Sequence, residues 1–331
     1  MISRGGAAFL LALVLSACAP GIHPPGPVIG ATHLTDDAIV TPDGTRLPLR
    51  RWLPSSGKPR AVILALHGFN DYSNFFDDPG QFLAQRYAIA SYAYDQRGFG
   101  GAPDTGSWAG VQAYANDARE AVRVLKARYP ALPIYLLGES MGGAVAMVVM
   151  SSDSPADVNG TILAAPAVWG RATMPWYQRL ALWIGANTMP GMTLTGKGLN
   201  IKPSDNIEML IELGRDPLVI KETRIGTLYG LVNLMDAGLA SAPHFKSPAL
   251  ILYGERDEVV PKKPTSIMLD HLPKASTAIQ KVALYQGGYH MLLRDIPAAT
   301  VWKDIAAWIK APSKPLPSGA DQRSLSVLTE R

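Results

Sequence analysis

The sequence contains a single cysteine, no run of like charge and no internal repeat of fixed period among its 331 residues. One cysteine cannot form an intrachain disulfide, which excludes a disulfide-stabilised domain. The 31 basic and 27 acidic residues are spread along the chain, giving a net charge of +4 without a basic stripe. This distribution argues against a nucleic-acid-binding protein. The apolar stretch from Ala7 to Ala17 is too short to span a bilayer.

The composition is that of a globular protein with a large core. Hydrophobic residues make up 47% of the chain and charged residues 18%. A chain of this length fits one domain with an insertion as well as it fits two domains.

The N-terminus has the pattern of an export signal. Arg4 precedes the short apolar stretch, which favours a signal peptide over residues 1–17 rather than a membrane span. Cys18 follows in "LSAC", which resembles the lipobox of bacterial lipoproteins; the alternative is an ordinary buried cysteine. The resemblance implies a lipid anchor at Cys18 in the bacterial cell envelope, with Ala19 favouring the outer membrane over the inner. Prolines within residues 18–37 then predict a semi-rigid spacer that holds a domain away from the membrane.

From about Ala38 the pattern predicts an α/β fold. "AIVTPDGTRLPLRRWLP" is typical of a hairpin, because Pro and Gly favour the turn between its extended segments. Continuous apolar runs then alternate with helix-like segments. Runs without polar alternation indicate strands buried on both faces, as in a mostly parallel sheet with helices on each side.

The stretch "YLLGESMGGA" places Ser140 where a buried strand gives way to a helix. This is the G-x-S-x-G pattern of a nucleophile elbow, in which a strained turn exposes the serine oxygen. Gly138 and Gly142 leave room for the tight turn. A Gly-Ser turn without chemistry is the alternative, but the strand before it and the helix after it favour the elbow.

A serine nucleophile needs a base and an acid, expected in the chain order Ser, acid, His. His290 in "GGYHMLLRD" is the histidine that follows a late strand and precedes the last helix. Asp257 comes just after the strand of "PALILYGERDEVVP" and is our predicted acid, although spacing alone excludes neither Glu255 nor Glu258. Asp257 would fix the imidazole tautomer and stabilise imidazolium.

An oxyanion hole requires two backbone N–H groups. Met141, the residue after the nucleophile, is expected to supply one of them. Phe69, in the loop "LALHGFND", is expected to supply the other. His67 in the same loop is predicted to have a structural role.

The motifs "HGFND", "YDQRGFG", "GESMGG", "YGERDEVVP" and "GGYH" together resemble the monoacylglycerol lipase and lysophospholipase branch of the α/β-hydrolase superfamily, grouped with serine aminopeptidase S33-like hydrolases. The resemblance covers residues 38–310. It implies an α/β-hydrolase fold with a helical cap inserted after the sixth strand, and a structural role for Asp95. Related dehalogenases and epoxide hydrolases use an aspartate nucleophile, which Ser140 excludes here.

The hydrolase domain is expected over residues 38–311, with the cap at about 168–246. Residues 312–331 are rich in proline, serine and charge, a composition that predicts a disordered tail. Flexible and aromatic residues of the cap suit an apolar acyl pocket, although most of them must form the cap's own core. They are Trp169, Met174, Trp176, Trp183, Met189, Met192, Met209 and Met235.

The sequence therefore predicts a serine carboxylic ester hydrolase acting on monoacylglycerols or lysophospholipids through an acyl-enzyme. Its partners would be a lipid or small ester and, through the anchor, a membrane. The chemistry calls for no metal or cofactor. An S33-type aminopeptidase and a non-catalytic lipid- or protein-binding envelope lipoprotein remain as alternatives.

Overall fold

The computed structural model describes residues 21–274 and 279–329, which form a large sheet, flanking helices and a cap. The helices are α1 (Asp77–Tyr87), α2 (Val111–Arg128), α3 (Met141–Met150), α4 (Trp176–Thr188), α5 (Ile207–Arg215), α6 (Ile225–Ser241), α7 (Lys262–His271) and α8 (Ala298–Lys310). The strands are β1 (His33–Leu34), β2 (Ala38–Val40), β3 (Arg46–Trp52), β4 (Ala61–Leu66), β5 (Ile89–Tyr94), β6 (Ile134–Glu139), β7 (Gly160–Ala164), β8 (Thr193–Thr195), β9 (Glu222–Arg224), β10 (Ala249–Gly254) and β11 (Gln280–Tyr285).

The main sheet has nine strands in the order β1-β2-β3-β5-β4-β6-β7-β10-β11. The strands from β5 to β11 in that order pair parallel, whereas β1, β2 and β3 pair antiparallel at one edge. The pairing of β2 with β3 confirms the hairpin predicted around Pro42 to Gly44. Because parallel strands end at the same edge, the loops after β4, β6, β10 and β11 converge there.

Strand β4 shows why the central strands are apolar throughout. Its alternate residues Val62, Leu64 and Leu66 belong to the core on one face of the sheet, where α2, α3 and α7 also bury residues. Ala61, Ile63 and Ala65 belong to the core on the other face, beneath α1 and α8. Both faces of the sheet exclude water, so apolar side chains are required on both sides of the strand.

The cap lies between β7 and β10 and contains α4, α5, α6 and the two-stranded antiparallel sheet of β8 and β9. It follows the seventh strand rather than the sixth because the short β1 adds a strand at the start. Helix α6 packs closely against α3, where a Cβ on Gly238 would lie 3.2 Å from the Cβ of Ala144. The cap is thereby held over the helix that follows Ser140.

The C-terminal segment differs from the disorder predicted for residues 312–331. Leu316 and Ala320 are buried in the core beneath α8, and Leu328 packs in a small cluster with Tyr253 and Leu284. Two ion pairs hold this segment to the sheet, Lys281 with Asp321 at 2.6 Å and Arg323 with Glu255 at 2.6 Å. Although the segment is rich in proline and polar residues, its few apolar residues pack against the β11 edge of the sheet.

The N-terminal segment also differs from the predicted spacer. Ile22 forms a β-bridge with Trp108, and the His23 amide donates to the Trp108 carbonyl at 2.8 Å. Residues 21–34 thus lie along the domain instead of extending from it, ending in the pairing of β1 with β2. The predicted signal peptide and Cys18 lie outside the described residues. No helix within 21–274 or 279–329 combines the length and apolarity that a membrane span requires.

Candidate active site

Ser140 occupies the turn between β6 and α3 with a strained backbone. Its φ of 52° and ψ of −113° lie in a region that residues with a side chain rarely adopt. Two hydrogen bonds hold it there: its amide donates to the Ala164 carbonyl at 2.9 Å, and its carbonyl accepts from the Ala167 amide at 2.9 Å. Both partners belong to the neighbouring strand end, so the sheet itself maintains the strain.

The glycines around Ser140 are required for space. A Cβ on Gly138 would lie 2.2 Å from the Gly142 carbonyl oxygen, and a Cβ on Gly142 would lie 2.2 Å from the Leu66 carbonyl oxygen. Real Cβ atoms do not approach backbone oxygens so closely. The sequence-based explanation of the motif agrees with this packing.

The loop after β4 lies against Ser140. The Gln96 amide donates to Nε2 of His67 at 2.9 Å, so Nδ1 carries the proton and donates to the Gly68 carbonyl at 2.7 Å. Burial lowers the pKa of His67, which keeps this ring neutral. Because a trans peptide is planar, holding the Gly68 carbonyl turns the Phe69 N–H to the opposite side. A Cβ on Gly68 would lie 3.5 Å from the Ser140 Cβ.

Two backbone donors near Ser140 are open. Within the described part of the chain, neither the Phe69 amide nor the Met141 amide donates a hydrogen bond. Met141 is the first residue of α3, where the helix end itself favours negative charge. The N–H groups of the two predicted oxyanion-hole donors are therefore free of other hydrogen bonds within the described residues.

His290 lies in the loop between β11 and α8, and its Nδ1 is 2.8 Å from Oδ2 of Asp257. The other carboxylate oxygen of Asp257 accepts from the amides of Val259 and Val260 at 2.8 and 2.9 Å. Both side chains are buried. The carboxylate is thus fixed from two sides, which orients the imidazole and leaves its Nε2 for another partner.

Burial alone would lower the pKa of His290, but the charge and hydrogen bond of Asp257 outweigh it and raise that pKa. The carboxylate of Glu139 acts in the same direction, whereas the Arg294 guanidinium opposes it. The site therefore favours a proton on His290 once one has been transferred to it.

The neighbouring carboxylates have other partners. Glu255 pairs with Arg323 at 2.6 Å, and Glu258 accepts from the Lys202 amide at 2.8 Å. Asp95 is buried and accepts from the Ser73 and Gly101 amides at 2.9 and 2.8 Å, which fits the structural role expected of it. Of the three carboxylates considered after β10, Asp257 is the one that contacts His290.

Ser140 and His290 open into one cavity of about 510 Å³ between the sheet edge and the cap. Its walls are mostly aliphatic and aromatic, with some polar and charged side chains among them. The apolar walls come from the cap and the loop after β10, through Trp169, Leu199, Ile201, Leu213, Val219, Ile220, Leu231, Met235, Val259 and Val260. The polar lining comprises Asn70, Asp71, Glu139, Lys221, Thr223 and Arg294.

Only part of the apolar set singled out in the sequence lines this cavity. Trp169 and Met235 do. Trp176 and Trp183 are 72% and 55% exposed on α4, and Met189 and Met192 are also exposed. The aliphatic residues that complete the cavity wall were not predicted, because a leucine facing substrate has the same sequence signature as one facing the core.

The cap is tied to the loop that carries Phe69. The Asn70 side chain donates to the Thr223 hydroxyl at 2.6 Å, and the Ile220 amide donates to the Asn70 carbonyl at 2.9 Å. The Tyr72 hydroxyl donates to Asp216 at 2.6 Å. Cap residues 216–223 therefore position the same loop that presents the Phe69 amide.

Asp71, Glu139 and Arg294 form a charged cluster in the cavity lining that was not predicted from the sequence. Arg294 lies 223 residues from Asp71 and 155 residues from Glu139 along the chain. No local pattern joins residues so far apart. The one available signal was the placement of a glutamate directly before the nucleophile in an otherwise apolar strand.

A strained serine on a strand-to-helix turn, an imidazole oriented by a carboxylate, and open amides beside the serine define a serine hydrolase. The parallel sheet with this order of elements and an inserted cap is the α/β-hydrolase fold.

Comparison with known proteins identifies the family. Residues 57–297 match the Hydrolase_4 family, described as serine aminopeptidase S33. The chain is 25% identical over 277 residues to a monoglyceride lipase of Rattus norvegicus, covering 82% of this chain and 89% of the relative. It is 24% identical to a monoacylglycerol lipase of Mycolicibacterium smegmatis over 272 residues, which are 80% of this chain and 93% of that protein.

Among solved structures, the fold resembles a soluble variant of monoglyceride lipase from Saccharomyces cerevisiae in complex with a substrate analogue. The TM-score is 0.68 at 19% identity, and the match covers 88% of this chain and 97% of that one. This protein belongs to the serine aminopeptidase S33 family of α/β-hydrolases. The prediction that this protein is a serine ester hydrolase of the monoacylglycerol lipase type is confirmed.

Proposed function

We propose that this enzyme hydrolyses single-chain acyl esters, either monoacylglycerols or lysophospholipids, at Ser140. The observation that carries the proposal is the cavity that Ser140 and His290 share, which has mostly apolar walls with some polar and charged side chains among them. Such a cavity suits an aliphatic acyl chain with a hydroxyl-bearing or charged headgroup near the scissile ester. The similarity to monoglyceride lipases supports the same substrate class.

In the proposed acylation step, His290 Nε2 accepts the Ser140 hydroxyl proton as the serine oxygen attacks the ester carbonyl. The amides of Phe69 and Met141 stabilise the negative charge on the carbonyl oxygen. Asp257 stabilises the imidazolium that forms. His290 then donates its proton to the departing alcohol oxygen, leaving the acyl group on Ser140.

In the proposed deacylation step, a water molecule attacks the acyl carbonyl while His290 accepts its proton. The second tetrahedral intermediate uses the same two amides. When it collapses, the proton returns to the Ser140 oxygen and the fatty acid leaves. The cycle thus uses Ser140, His290, Asp257 and the two backbone amides, with water as the second substrate.

An aminopeptidase would need a free carboxylate to bind a substrate ammonium. Asp71 and Glu139 line the cavity, but Arg294 donates to Asp71 at 2.6 Å and to Glu139 at 3.3 Å. Their negative charge is therefore partly neutralised within the protein. This arrangement favours ester substrates over peptides with a free N-terminus.

The experiment is a substrate panel containing monoacylglycerols, lysophospholipids, p-nitrophenyl esters and aminoacyl anilides. We expect turnover of the esters, with preference for a long single chain, and none of the anilides. Ser140→Ala and His290→Ala serve as matched inactive controls. Faster cleavage of anilides than of any ester would overturn the proposal in favour of a peptidase.

Labelling with a fluorophosphonate tests the non-catalytic alternative directly. The wild-type protein should be labelled on Ser140, and Ser140→Ala should not be. A folded wild-type protein that resists labelling and cleaves no ester would be a binding protein with an inherited fold.

We further propose that Cys18 carries the lipid that anchors this enzyme in the bacterial envelope, with the outer membrane favoured. The support is the sequence alone: the one cysteine of the chain ends a short apolar stretch in "LSAC". An anchored lipase would meet its amphiphilic substrates at the membrane.

A further inference from the structure

Three charged side chains form a buried cluster beside the nucleophile. Nη2 of Arg294 lies 2.6 Å from Oδ2 of Asp71 and 3.3 Å from Oε1 of Glu139. All three side chains are at most 9% exposed. They come from three separate strand ends: Asp71 from the loop after β4, Glu139 from the last position of β6, and Arg294 from the loop after β11.

Two members of the cluster are close in sequence to the catalytic residues. Glu139 immediately precedes Ser140, and Arg294 lies four residues after His290 on the same loop. Glu139 and Arg294 both line the cavity that contains Ser140 and His290. A change in the charge of Glu139 or Arg294 therefore changes the electrostatic potential at the Ser140–His290 site.

The cluster is incompletely satisfied in hydrogen bonding. Within the described residues, Oε2 of Glu139 and Nε of Arg294 are buried without a hydrogen-bond partner. The desolvation free energy of buried charges usually exceeds the favourable energy of their ion pairs. Three apolar residues of similar volume would often give a protein at least as stable. Stability alone gives no reason for these residues at this position.

We propose that Glu139 and Arg294 are positioning residues that act through His290: Glu139 favours the protonated imidazole, Arg294 limits that effect, and their balance sets the pH range of ester hydrolysis. This inference rests on the proposed function, in which His290 is the general base.

The charges facing His290 act with opposite signs. Asp257 after β10 and Glu139 on β6 both raise the pKa of His290, whereas Arg294 lowers it. Burial raises the pKa of Glu139 itself, and Arg294 opposes that rise. Behind Arg294, Asp71 supplies the second negative charge that holds the guanidinium in place. Arg294 thus favours the ionised form of Glu139, and Asp71 holds Arg294 in position.

The test is the pH dependence of kcat/KM on a soluble p-nitrophenyl ester, since its acid limb reports the base in the free enzyme. Glu139→Gln removes a negative charge at nearly constant shape. The imidazolium then loses stabilisation, so the acid limb should move to lower pH. Arg294→Met leaves Asp71 and Glu139 without their cation, and its limb should move to higher pH.

Two variants separate electrostatics from packing. Arg294→Lys keeps the charge and should leave the limb close to its wild-type position, even if kcat falls. The double variant Glu139→Gln/Arg294→Met should return the limb toward that of the wild type. If Glu139→Gln does not fold, the upward shift expected of Arg294→Met carries the test.

The matched control is the surface pair of Glu120 and Arg123 on α2, whose members lie 2.8 Å apart. Glu120→Gln makes the same chemical change away from the site and should not move the limb. If Glu139→Gln and Arg294→Met lower activity but leave the limb where the wild type has it, the cluster is structural and the inference is wrong. A wild-type protein inactive toward esters at every pH would instead overturn the proposed function.

Discussion

Nδ1 of His290 and Oδ2 of Asp257 lie 2.8 Å apart although 33 residues separate them in the chain. The other oxygen of Asp257 is held by two backbone amides, so the carboxylate cannot rotate away without losing three contacts. This relationship engages Nδ1 and leaves Nε2 as the imidazole nitrogen available for the reaction.

Asp257→Asn should therefore lower kcat/KM by on the order of 10⁴-fold, because an amide in this place favours the wrong tautomer. The residual activity should also extend to lower pH. Asp257 raises the pKa of His290, and the base works only when neutral, so loss of the carboxylate should move the acid limb downward. A p-nitrophenyl ester assay with circular dichroism checks both effects.

Glu255→Gln and Glu258→Gln are the controls for this variant, since their partners are Arg323 and the Lys202 amide. Both should keep activity near that of the wild type. Loss of turnover in either one, with Asp257→Asn unaffected, would show that another carboxylate is the acid.

Gly142→Ala should damage the elbow. Its new Cβ would lie 2.2 Å from the Leu66 carbonyl oxygen, and backbone must move to relieve the contact. We expect a loss of roughly 2–4 kcal/mol in the free energy of unfolding, together with loss of activity. Urea denaturation and the ester assay measure the two effects.

Gly214→Ala is the matched control, because nothing lies within 4 Å of its Cβ position in α5. In an exposed helix the exchange should stabilise by up to about 1 kcal/mol. Equal effects of the two alanine substitutions would contradict the steric account of the elbow.

The C-terminal segment can be tested in the same way. Leu316 is 4% exposed, so Leu316→Ala should lower the free energy of unfolding by about 2–4 kcal/mol. Leu325 is 46% exposed, and Leu325→Ala should change it by no more than about 0.5 kcal/mol. If both substitutions were neutral in thermal unfolding, the segment would be disordered, as its composition suggests.

The lipid proposal is tested by Cys18→Ser. The variant should appear in the soluble fraction or accumulate as an unprocessed precursor, because the thioether can no longer form. Its esterase activity should be retained, since the substitution leaves residues 21–329 unchanged. Normal processing with unchanged membrane fractionation would count against lipidation.

The sequence reveals those parts of the site that depend on local pattern. Ser140 is visible because the elbow needs glycines at fixed spacing, and His290 and Asp257 follow from chain order and strand ends. The cluster of Asp71, Glu139 and Arg294 is invisible, because it is assembled only by the convergence of three strand ends.

The need for long-range contacts also explains why the structure of two segments was not predicted from their composition. Residues 21–34 are rich in proline and glycine, and residues 312–329 in proline and polar residues, compositions that favour spacers and disorder. What orders them is a small number of contacts with distant partners, such as Ile22 with Trp108 and Lys281 with Asp321. Such partners cannot be inferred from the segments themselves.

If Cys18 carries a lipid, the bridge between Ile22 and Trp108 would limit the distance between the enzyme and the membrane. Cys18 precedes Ile22 by four residues, and four residues of fully extended chain reach at most about 14 Å. With a lipid on Cys18, the tether would be too short for the catalytic domain to diffuse through the envelope space. The enzyme would be confined to a layer against one leaflet, where its own anchor determines which lipids it can sample.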